Sequence, residues 1–424
     1  MRQMPTSVPP SFDPTPGPDP LRAQYDRHPY PPIPVWALPA PSIENARYEH
    51  GARLAFGAPR SHEKIEILVA GCGTFEAVAL GRAHPRAARL TAIDWSPASI
   101  KMLRNRARLA RVAAFLPLPG RRLPPLEIVE ADFMTWDPGP RRFDVIYASN
   151  VLHHLPDPAR GLARLAGWLK PDGLIRMVTY PRGSRLFMRA TSAWLRADLR
   201  RNGIDPESIS SRPAKEWMPI VRASIDALPE NDPIRSCFES QPETGTPAGL
   251  IDAFLNAREN PLSPLEWGAA CQDAGLALAG ECQDEGSRST FLDEMLPKLH
   301  GLDAWEKLQI LDDVLELCVN PIIWLVPHPQ IQREEHGSPL PQAGEGNQAF
   351  RVESGGEGRK SWSPSLSHQL RRADRMLRTA GSSLAELIPR LQAEVGPRVT
   401  PDDRALPGLS ILDHDWQALL AAPS

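Results

Sequence analysis

The sequence predicts an α/β protein built on a doubly wound, Rossmann-like parallel sheet, and three observations support this fold class. Short runs of apolar and β-branched residues alternate with segments of helical periodicity from residue 65 to residue 180. The first run breaks at Gly71 and Gly73, and a helix is predicted directly after it. Acidic or amide residues end the next three strands, as expected where ligands bind at the carboxyl edge of such a sheet. Right-handed βαβ units then place helices on both faces of the sheet.

The individual elements follow in chain order. Ser96 precedes Pro97, a cap and a first-turn residue typical of a helix start, and Ser42 is a second candidate N-cap. A turn is predicted at residues 170–173, because Pro, Asp and Gly follow one another there. Strands are predicted at 65–70, 89–94, 126–130, 143–149, 174–180, 276–282 and 321–326, and helices at 42–57, 75–84, 97–112, 158–170, 184–200, 264–274 and 304–318.

Composition divides the chain into segments of different character. The first 20 residues are rich in Pro, Ser and Asp, which offer little to bury, so we expect disorder there. The stretch 24–31 is expected either to lie extended over the core or to close as a lid over a small-molecule site. The predicted organisation is 1–20 disordered, 21–62 an N-terminal lid or helical segment, 63–327 the α/β domain with a partly helical insertion at 203–262, 328–365 a disordered linker and 366–424 a helical tail.

The overall charge and the cysteines exclude several classes of protein. A net charge of −3 provides no basic field for nucleic acid or for anionic lipid. The N-terminus has no apolar signal segment, and no apolar run is long enough to span a membrane. We therefore expect a cytoplasmic protein that binds neither nucleic acid nor membranes. The five cysteines lack a CxxC pair, which argues for a reducing compartment and against a metal site or disulfides.

The candidate ligand-binding residues stand at the ends of the predicted strands. The Gly71/Gly73 turn allows a ligand to approach the backbone at the start of a helix. Asp94 stands where a carboxylate accepts hydrogen bonds from a ribose, or caps the following helix. Asp132 stands beside Phe133, and this pair suits an adenine, while a turn residue is the alternative interpretation of Asp132. Asn150 ends the fourth strand.

Four motifs in this order resemble the class I S-adenosylmethionine-dependent methyltransferases: VAGCGT, AIDWSP, EADF and FDVIYASNVLHHLPDP. The resemblance covers about residues 63–180. It implies a seven-stranded sheet whose last strand is antiparallel, and S-adenosylmethionine as cofactor. The segments QYDRHPYP and FLNAREN resemble those of bacterial members that are often fused to tetratricopeptide repeats. The implied cofactor residues are Ala70, Gly71, Cys72, Gly73, Asp94, Trp95, Asp132, Phe133 and Asn150.

The acceptor side is expected to be formed by Tyr25, Tyr30 and the loop from Asn150 to His154, together with the insertion. Of the two adjacent histidines, His154 is the candidate catalytic residue, because neighbours seldom face one site and His153 more simply satisfies a local hydrogen bond. A general base is needed only if the acceptor must lose a proton. A small-molecule acceptor is favoured, and a protein acceptor remains open.

Two alternatives remain at this point. A nicotinamide dehydrogenase requires glycine or alanine at the sixth position of the loop, where Glu76 stands. A catalytically inactive cofactor-binding adaptor is the second alternative. It rests on Phe75, a bulky residue where the resembling family has a third glycine, and on the absence of an acidic residue at 69–70.

Overall fold

The structure, a computed structural model, describes residues 19–39, 46–113, 122–282, 303–309, 312 and 320–328. A single sheet of seven strands forms its centre. The strands are β1 (Glu66–Ala70), β2 (Arg89–Asp94), β3 (Leu126–Glu130), β4 (Phe143–Ser149), β5 (Leu169–Val178), β6 (Leu276–Cys282) and β7 (Ile322–Pro327). Their order across the sheet is β3-β2-β1-β4-β5-β7-β6.

The strand directions match the prediction. β1 pairs in parallel with β2 and β4, and the pairs β2–β3 and β4–β5 are parallel as well. β7 runs antiparallel to both of its neighbours, β5 and β6. The predicted doubly wound sheet with an antiparallel last strand is therefore confirmed.

Helices cover both faces of the sheet, because successive side chains of a strand point to opposite sides. In β1, Ile67 and Val69 contribute to one buried cluster, whereas Leu68 and Ala70 contribute to the other. The helices are α1 (Pro20–Arg27), α2 (Tyr48–Phe56), α3 (Glu76–Ala83), α4 (Pro97–Ala113), α5 (Pro158–Ala166), α6 (Leu186–Arg201), α7 (Ala214–Asp226), α8 (Pro233–Glu239), α9 (Pro247–Phe254), α10 (Pro264–Asp273) and α11 (Ala304–Gln309).

The segment between β5 and β6 has a core of its own. Leu195 of α6 packs there with Trp217 of α7, Phe238 of α8 and Phe254 of α9. The two phenyl rings stack with centroids 5.6 Å apart. The helical character predicted for residues 203–262 is present, and α6 joins the same cluster.

The predicted helix over 158–170 is too long. α5 ends at Ala166, and β5 already begins at Leu169 because the N–H of Phe143 bonds to the Trp168 carbonyl at 2.9 Å. The expected turn at 170–173 lies within β5 as an irregularity. There four residues face only one residue of β4, since Leu169 pairs with Phe143 and Leu174 pairs with Val145.

The N-terminal segment also differs from the prediction. Residues 20–27 form α1, so disorder does not extend to residue 20 and Gln24 to Arg27 are helical rather than extended. The reason is local: Pro20 opens the helix and the Asp19 carboxylate accepts the Leu21 N–H at 2.8 Å. α2 begins at Tyr48, later than predicted. Ser42, residues 1–18, nearly all of the linker at 328–365 and the tail at 366–424 lie outside the described residues.

Within the part of the chain that the structure describes, no helix has the length and apolar character needed to cross a membrane. The same residues contain no group of three or more His, Cys, Asp or Glu side chains placed to hold a metal ion. Cys72, Cys237 and Cys271 are buried free thiols.

Candidate active site

A cavity of about 280 Å³ opens at the carboxyl edge of the sheet, where β1, β2, β3 and β4 end. α1 and the residues 28–39 that follow it, which we call the strap, form the opposite wall. The cavity joins side chains from every strand end singled out above. Its lining includes Tyr25, Tyr30, Gly71, Cys72, Gly73, Phe75, Glu76, Asp94, Trp95, Asp132, Phe133, Ser149, Asn150, Val151 and His154.

The glycine loop requires glycine at two positions. Gly71 has φ +67° and Gly73 has φ +53°, in the left-handed region that other residues rarely adopt. A Cβ on Gly71 would lie 2.5 Å from a methyl group of Val151, and one on Gly73 would lie 2.8 Å from the Tyr30 carbonyl oxygen. The loop is therefore compact and leaves its backbone open to the cavity.

Asp94 holds the glycine loop through hydrogen bonds and can accept further hydrogen bonds from a ligand. Its Oδ2 accepts the Gly73 N–H at 2.9 Å and its Oδ1 accepts the Ser96 N–H at 2.9 Å. Burial raises the pKa of this carboxyl to about 6, although both hydrogen bonds favour the charged form. A carboxylate has about four acceptor positions, so two remain for the hydroxyls of a bound diol.

The third and fourth strand ends complete the cofactor side of the cavity. Asp132 accepts the Met134 N–H at 2.8 Å and so does serve as a turn residue, while it and the buried Phe133 also line the cavity. Asn150 has φ +53° and donates its N–H to the Val178 carbonyl at 2.8 Å. Left-handed backbone is uncommon outside glycine, although asparagine tolerates it better than most residues.

Two of the expected residues, and Phe75, have surroundings that bear on their roles. Ala70 is buried in the core beneath the loop and is not part of the cavity lining. Burial raises the pKa of the Cys72 thiol well above its usual value, so the side chain stays uncharged. Phe75 lines the cavity, and the Arg106 guanidinium lies 5.2 Å from its ring centre. The cavity remains open beside this bulky side chain.

The two adjacent histidines separate as expected. His153 is buried outside the cavity lining, accepts the Tyr180 N–H at 3.2 Å and stacks on the Tyr180 ring at 3.8 Å. His154 lines the cavity, and its Nδ1 lies 2.8 Å from the Arg258 carbonyl oxygen. Burial lowers the pKa of His154 to about 4, so this imidazole is neutral at pH 7. Its Nε2 lies 3.3 Å from the hydroxyl oxygen of Tyr25.

Three polar side chains at or beside the site were not predicted from the sequence. Glu76 begins α3, lines the cavity and accepts the Ser149 hydroxyl at 2.5 Å, and burial raises its pKa. Asp252 of α9 accepts the Tyr25 hydroxyl at 2.9 Å. Arg106 of α4 reaches the strap. Glu76 directly follows the glycine loop and could have been noted, whereas the other two are distant from every motif.

The cavity has the loop, the acidic strand ends and the aromatic wall in the arrangement that the sequence motifs predict. A family model described as a methyltransferase domain matches residues 68–177, which hold most of β1 to β5. Residues 68–177 form a domain of the S-adenosylmethionine-dependent methyltransferases. The cofactor of this methyltransferase is S-adenosylmethionine.

Relatives of this methyltransferase differ in how much of the chain they share. An uncharacterised protein of Synechococcus sp. is 33% identical over 308 residues, covering 69% of this chain and 67% of that protein. The trans-aconitate 2-methyltransferase of Methylobacterium radiotolerans is 35% identical over 133 residues, or 31% of this chain, and the chain spans only 44% of that enzyme's length. The solved structure of PKMT2 from Rickettsia typhi covers 74% of this chain and 56% of its own, with 12% identity and a TM-score of 0.49.

The residues of this methyltransferase fit the cofactor. Gly71 and Gly73 line the cavity without a side chain, and Asp94 retains acceptor positions for the ribose diol. The Phe133 ring and the Asp132 carboxyl at the same cavity suit the flat adenine and its amino group. The half-buried Glu76 carboxyl supplies an acceptor in the cavity although no acidic residue stands at 69–70.

Proposed function

We propose that this protein transfers the methyl group of S-adenosylmethionine to a small, uncharged acceptor bound between α1, the strap and His154. One observation carries the proposal: a single cavity is lined both by the residues that fit the cofactor and by Tyr25, Tyr30 and His154. Donor and acceptor can therefore meet without a large rearrangement of the described residues. Orientation of the two supplies much of the rate in such a displacement.

The residues of the site take the following roles in this proposal. Gly71 and Gly73 bring the backbone close to the methionine part of the cofactor, and Asp94 accepts hydrogen bonds from the ribose. Asp132 and Phe133 hold the adenine, with Trp95 beside them, while Asn150 stands near the reacting end. The cofactor supplies an activated methyl group on a sulfonium, so this chain's residues bind, orient and exclude water.

An uncharged acceptor is favoured over a carboxylate by the polar groups of the acceptor side. The pKa of Tyr30 is raised, mainly by burial, the pKa of Tyr25 is raised in the same direction, and His154 is neutral at pH 7. None of these three groups offers the positive charge that binds a carboxylate. The trans-aconitate relatives therefore do not indicate the acceptor of this protein.

A small acceptor is favoured over a macromolecule by the strap. Thr74 donates its N–H to the Tyr30 carbonyl at 3.3 Å and its hydroxyl to the Pro31 carbonyl at 2.6 Å, so the strap lies directly on the glycine loop. The lining beside it is mostly apolar, with Leu21 and Leu155 at the same wall. Such an enclosed, largely apolar space is typical of small-molecule sites.

Calorimetric titration with S-adenosylmethionine and S-adenosylhomocysteine tests the cofactor site. We expect the wild type to bind both and Asp94→Asn to bind both at least tenfold more weakly, with thermal melting checking that the variant folds. Asp137→Asn, at an exposed turn, is the matched control and should bind like the wild type. Absence of binding to the folded wild type would refute the proposal.

Radiolabelled methyl transfer tests the acceptor class. The protein is incubated with methyl-labelled cofactor and a bacterial extract separated into low-molecular-weight and protein fractions. Label in neutral small molecules supports the proposal, and label in the protein fraction assigns a protein acceptor instead. Cofactor binding without label in either fraction favours the inactive adaptor that the sequence left open.

A further inference from the structure

Three segments that are distant in the chain meet behind the acceptor side of the cavity. Asn256 donates its Nδ2–H to the Tyr25 hydroxyl oxygen at 3.3 Å, and the Ala257 N–H bonds to the Gln24 side chain at 2.8 Å. The Arg258 guanidinium donates to the His154 carbonyl at 2.6 Å and to the Asp19 carboxylate at 3.0 Å. The segments QYDRHPYP and FLNAREN, whose resemblance to family segments was described above, thus contact each other directly.

The Tyr25 hydroxyl stands at the centre of this structure with two acceptors for one proton. Its oxygen lies 2.9 Å from Asp252 Oδ1 and 3.3 Å from His154 Nε2. The Arg258 carbonyl can only accept, so His154 Nδ1 carries the imidazole proton and Nε2 presents a lone pair. The network therefore has two arrangements. Either Tyr25 donates to ionised Asp252, or protonated Asp252 donates to Tyr25, which then donates to His154.

Asp252 differs from Tyr25 and His154 in its position. Only 5% of Asp252 is exposed, and it is not part of the cavity lining, whereas the other two are. Burial raises the pKa of this carboxyl to about 7, which the hydrogen bond from Tyr25 partly offsets. The charged or titratable groups that face the network are Tyr25, Tyr30, His153, His154, Tyr180, Arg185, Glu243, Arg258 and Glu259.

We propose that Asp252 stores the proton that the acceptor loses during methyl transfer, and that Tyr25 passes that proton to it. The proposal rests on the proposed function and narrows its substrate class to acceptors whose reacting atom carries a proton, such as a hydroxyl or an amine. Tyr25 touches the acceptor, whereas Asp252 acts through Tyr25 as a positioning residue. Once Asp252 is protonated, Tyr25 donates its proton to His154 Nε2.

The proposed step balances atoms and charge. A bond forms between the acceptor atom and the methyl carbon, and the carbon–sulfur bond breaks with its electron pair remaining on sulfur. The acceptor proton moves to the Tyr25 oxygen while the Tyr25 hydroxyl proton moves to Asp252 Oδ1. The positive charge of the sulfonium and the negative charge of Asp252 disappear together. The phenol ends the step neutral, as its raised pKa requires.

The two forms of the cofactor should act differently on this carboxyl. The sulfonium of S-adenosylmethionine carries a positive charge, which favours ionised Asp252, whereas the thioether of S-adenosylhomocysteine does not. Near pH 7 an Asp252 carboxyl with a pKa of about 7 is roughly half protonated. Binding of the methyl donor should therefore release the stored proton, and binding of the product should not.

Calorimetry in buffers of different ionisation enthalpy measures this proton release without an acceptor. At pH 7 we expect the wild type to release up to about half a proton more with S-adenosylmethionine than with S-adenosylhomocysteine. Asp252→Asn should bind both compounds and lose this difference. Tyr25→Phe should move the midpoint of the difference to higher pH, because it removes a hydrogen bond that stabilises the carboxylate.

The control variant and the wild type decide between the possible results. Asp198→Asn changes another buried carboxyl, paired with Arg201 outside the cavity lining, and should keep the wild-type difference. An Asp252→Asn variant that retains the difference, or a wild type without one, would overturn the proton store while leaving the methyltransferase proposal intact. Binding of neither compound by the folded wild type would overturn both.

Discussion

Arg106 is the side chain whose replacement tests most directly how the cavity is closed. This residue of α4 is fully buried and donates to the carbonyls of Ile33, Pro34 and Ala37 in the strap. Its Nε also donates to the Thr74 carbonyl at 2.9 Å, beside the glycine loop. One guanidinium therefore joins the strap to the loop. We choose Arg106→Met, which keeps an apolar side chain of similar length and removes every donor.

The size of the effect follows from these four bonds. A hydrogen bond from a charged donor contributes roughly 1.5–3 kcal/mol, and a buried carbonyl left without a donor costs about 1–3 kcal/mol. Two effects make the net loss smaller than the sum of these terms. Burial of the charged guanidinium is itself unfavourable and lowers its pKa, and in the variant the strap can move into water, where its carbonyls find new donors. We expect the free energy of unfolding to fall by about 2–4 kcal/mol. A loss of this size lowers Tm by about 10 °C in a domain of this length.

Three measurements check this expectation. Thermal melting reports the stability, limited proteolysis reports opening of residues 28–39, and calorimetry should show S-adenosylhomocysteine binding weakened about 10–100-fold, since each 1.4 kcal/mol is a factor of ten. Arg104→Met is the control on the same helix, because Arg104 is exposed and makes a single 3.4 Å hydrogen bond to Ile128. If Arg106→Met melted, resisted protease and bound like the control, the strap would not depend on this guanidinium.

Three further predictions concern the glycine loop, the Asp94 carboxyl and the packing of α2 on the sheet. Gly73→Ala should lower the free energy of unfolding by about 1–2 kcal/mol, because residue 73 has a left-handed backbone. The new Cβ also meets the Tyr30 carbonyl, so cofactor titration should show binding at least tenfold weaker. An unchanged affinity would contradict this. Cofactor affinity should rise as pH increases through about 6, because only ionised Asp94 accepts both ribose hydroxyls; Asp94→Asn should lose this pH dependence. Gly51→Ala places a Cβ 2.3 Å from the buried Trp324 ring and should lower the free energy of unfolding by about 1–3 kcal/mol, as measured by denaturant titration. Gly57→Ala is the control: Gly57 is exposed, and its replacement adds only the cost of a left-handed residue at the end of α2.

The sheet could be predicted because its signals are local. Buried parallel strands appear as continuous apolar runs, and β1, β2, β3 and β4 begin or end within a residue of the predicted limits. The predicted cofactor residue Asp94 ends β2 and Asn150 directly follows β4, and parallel strands bring such positions to one edge. Fold and cofactor side therefore follow from short stretches of sequence.

The acceptor side could not be predicted in the same way. Asp252 is 227 positions along the chain from Tyr25, whose hydroxyl donates a hydrogen bond to it, and no residue next to it in the sequence marks it as part of a site. Arg106 lies in a helix rich in arginine, where a solvated side chain is the ordinary expectation. α1 was missed for a different reason: its start signal, Asp19 followed by Pro20, lies at the end of a Pro-rich stretch that favours disorder.

The meeting of α1 with residues 252–260 has an evolutionary consequence. The wall facing the cofactor comes from the ends of β1 to β4, whereas the wall around Tyr25 is assembled from two segments, one before β1 and one between β5 and β6. Substitutions in those two segments can alter which molecule receives the methyl group while the donor site stays as it is. Selection for a new acceptor must act on both segments together, since each side chain of the network is held by a partner in the other.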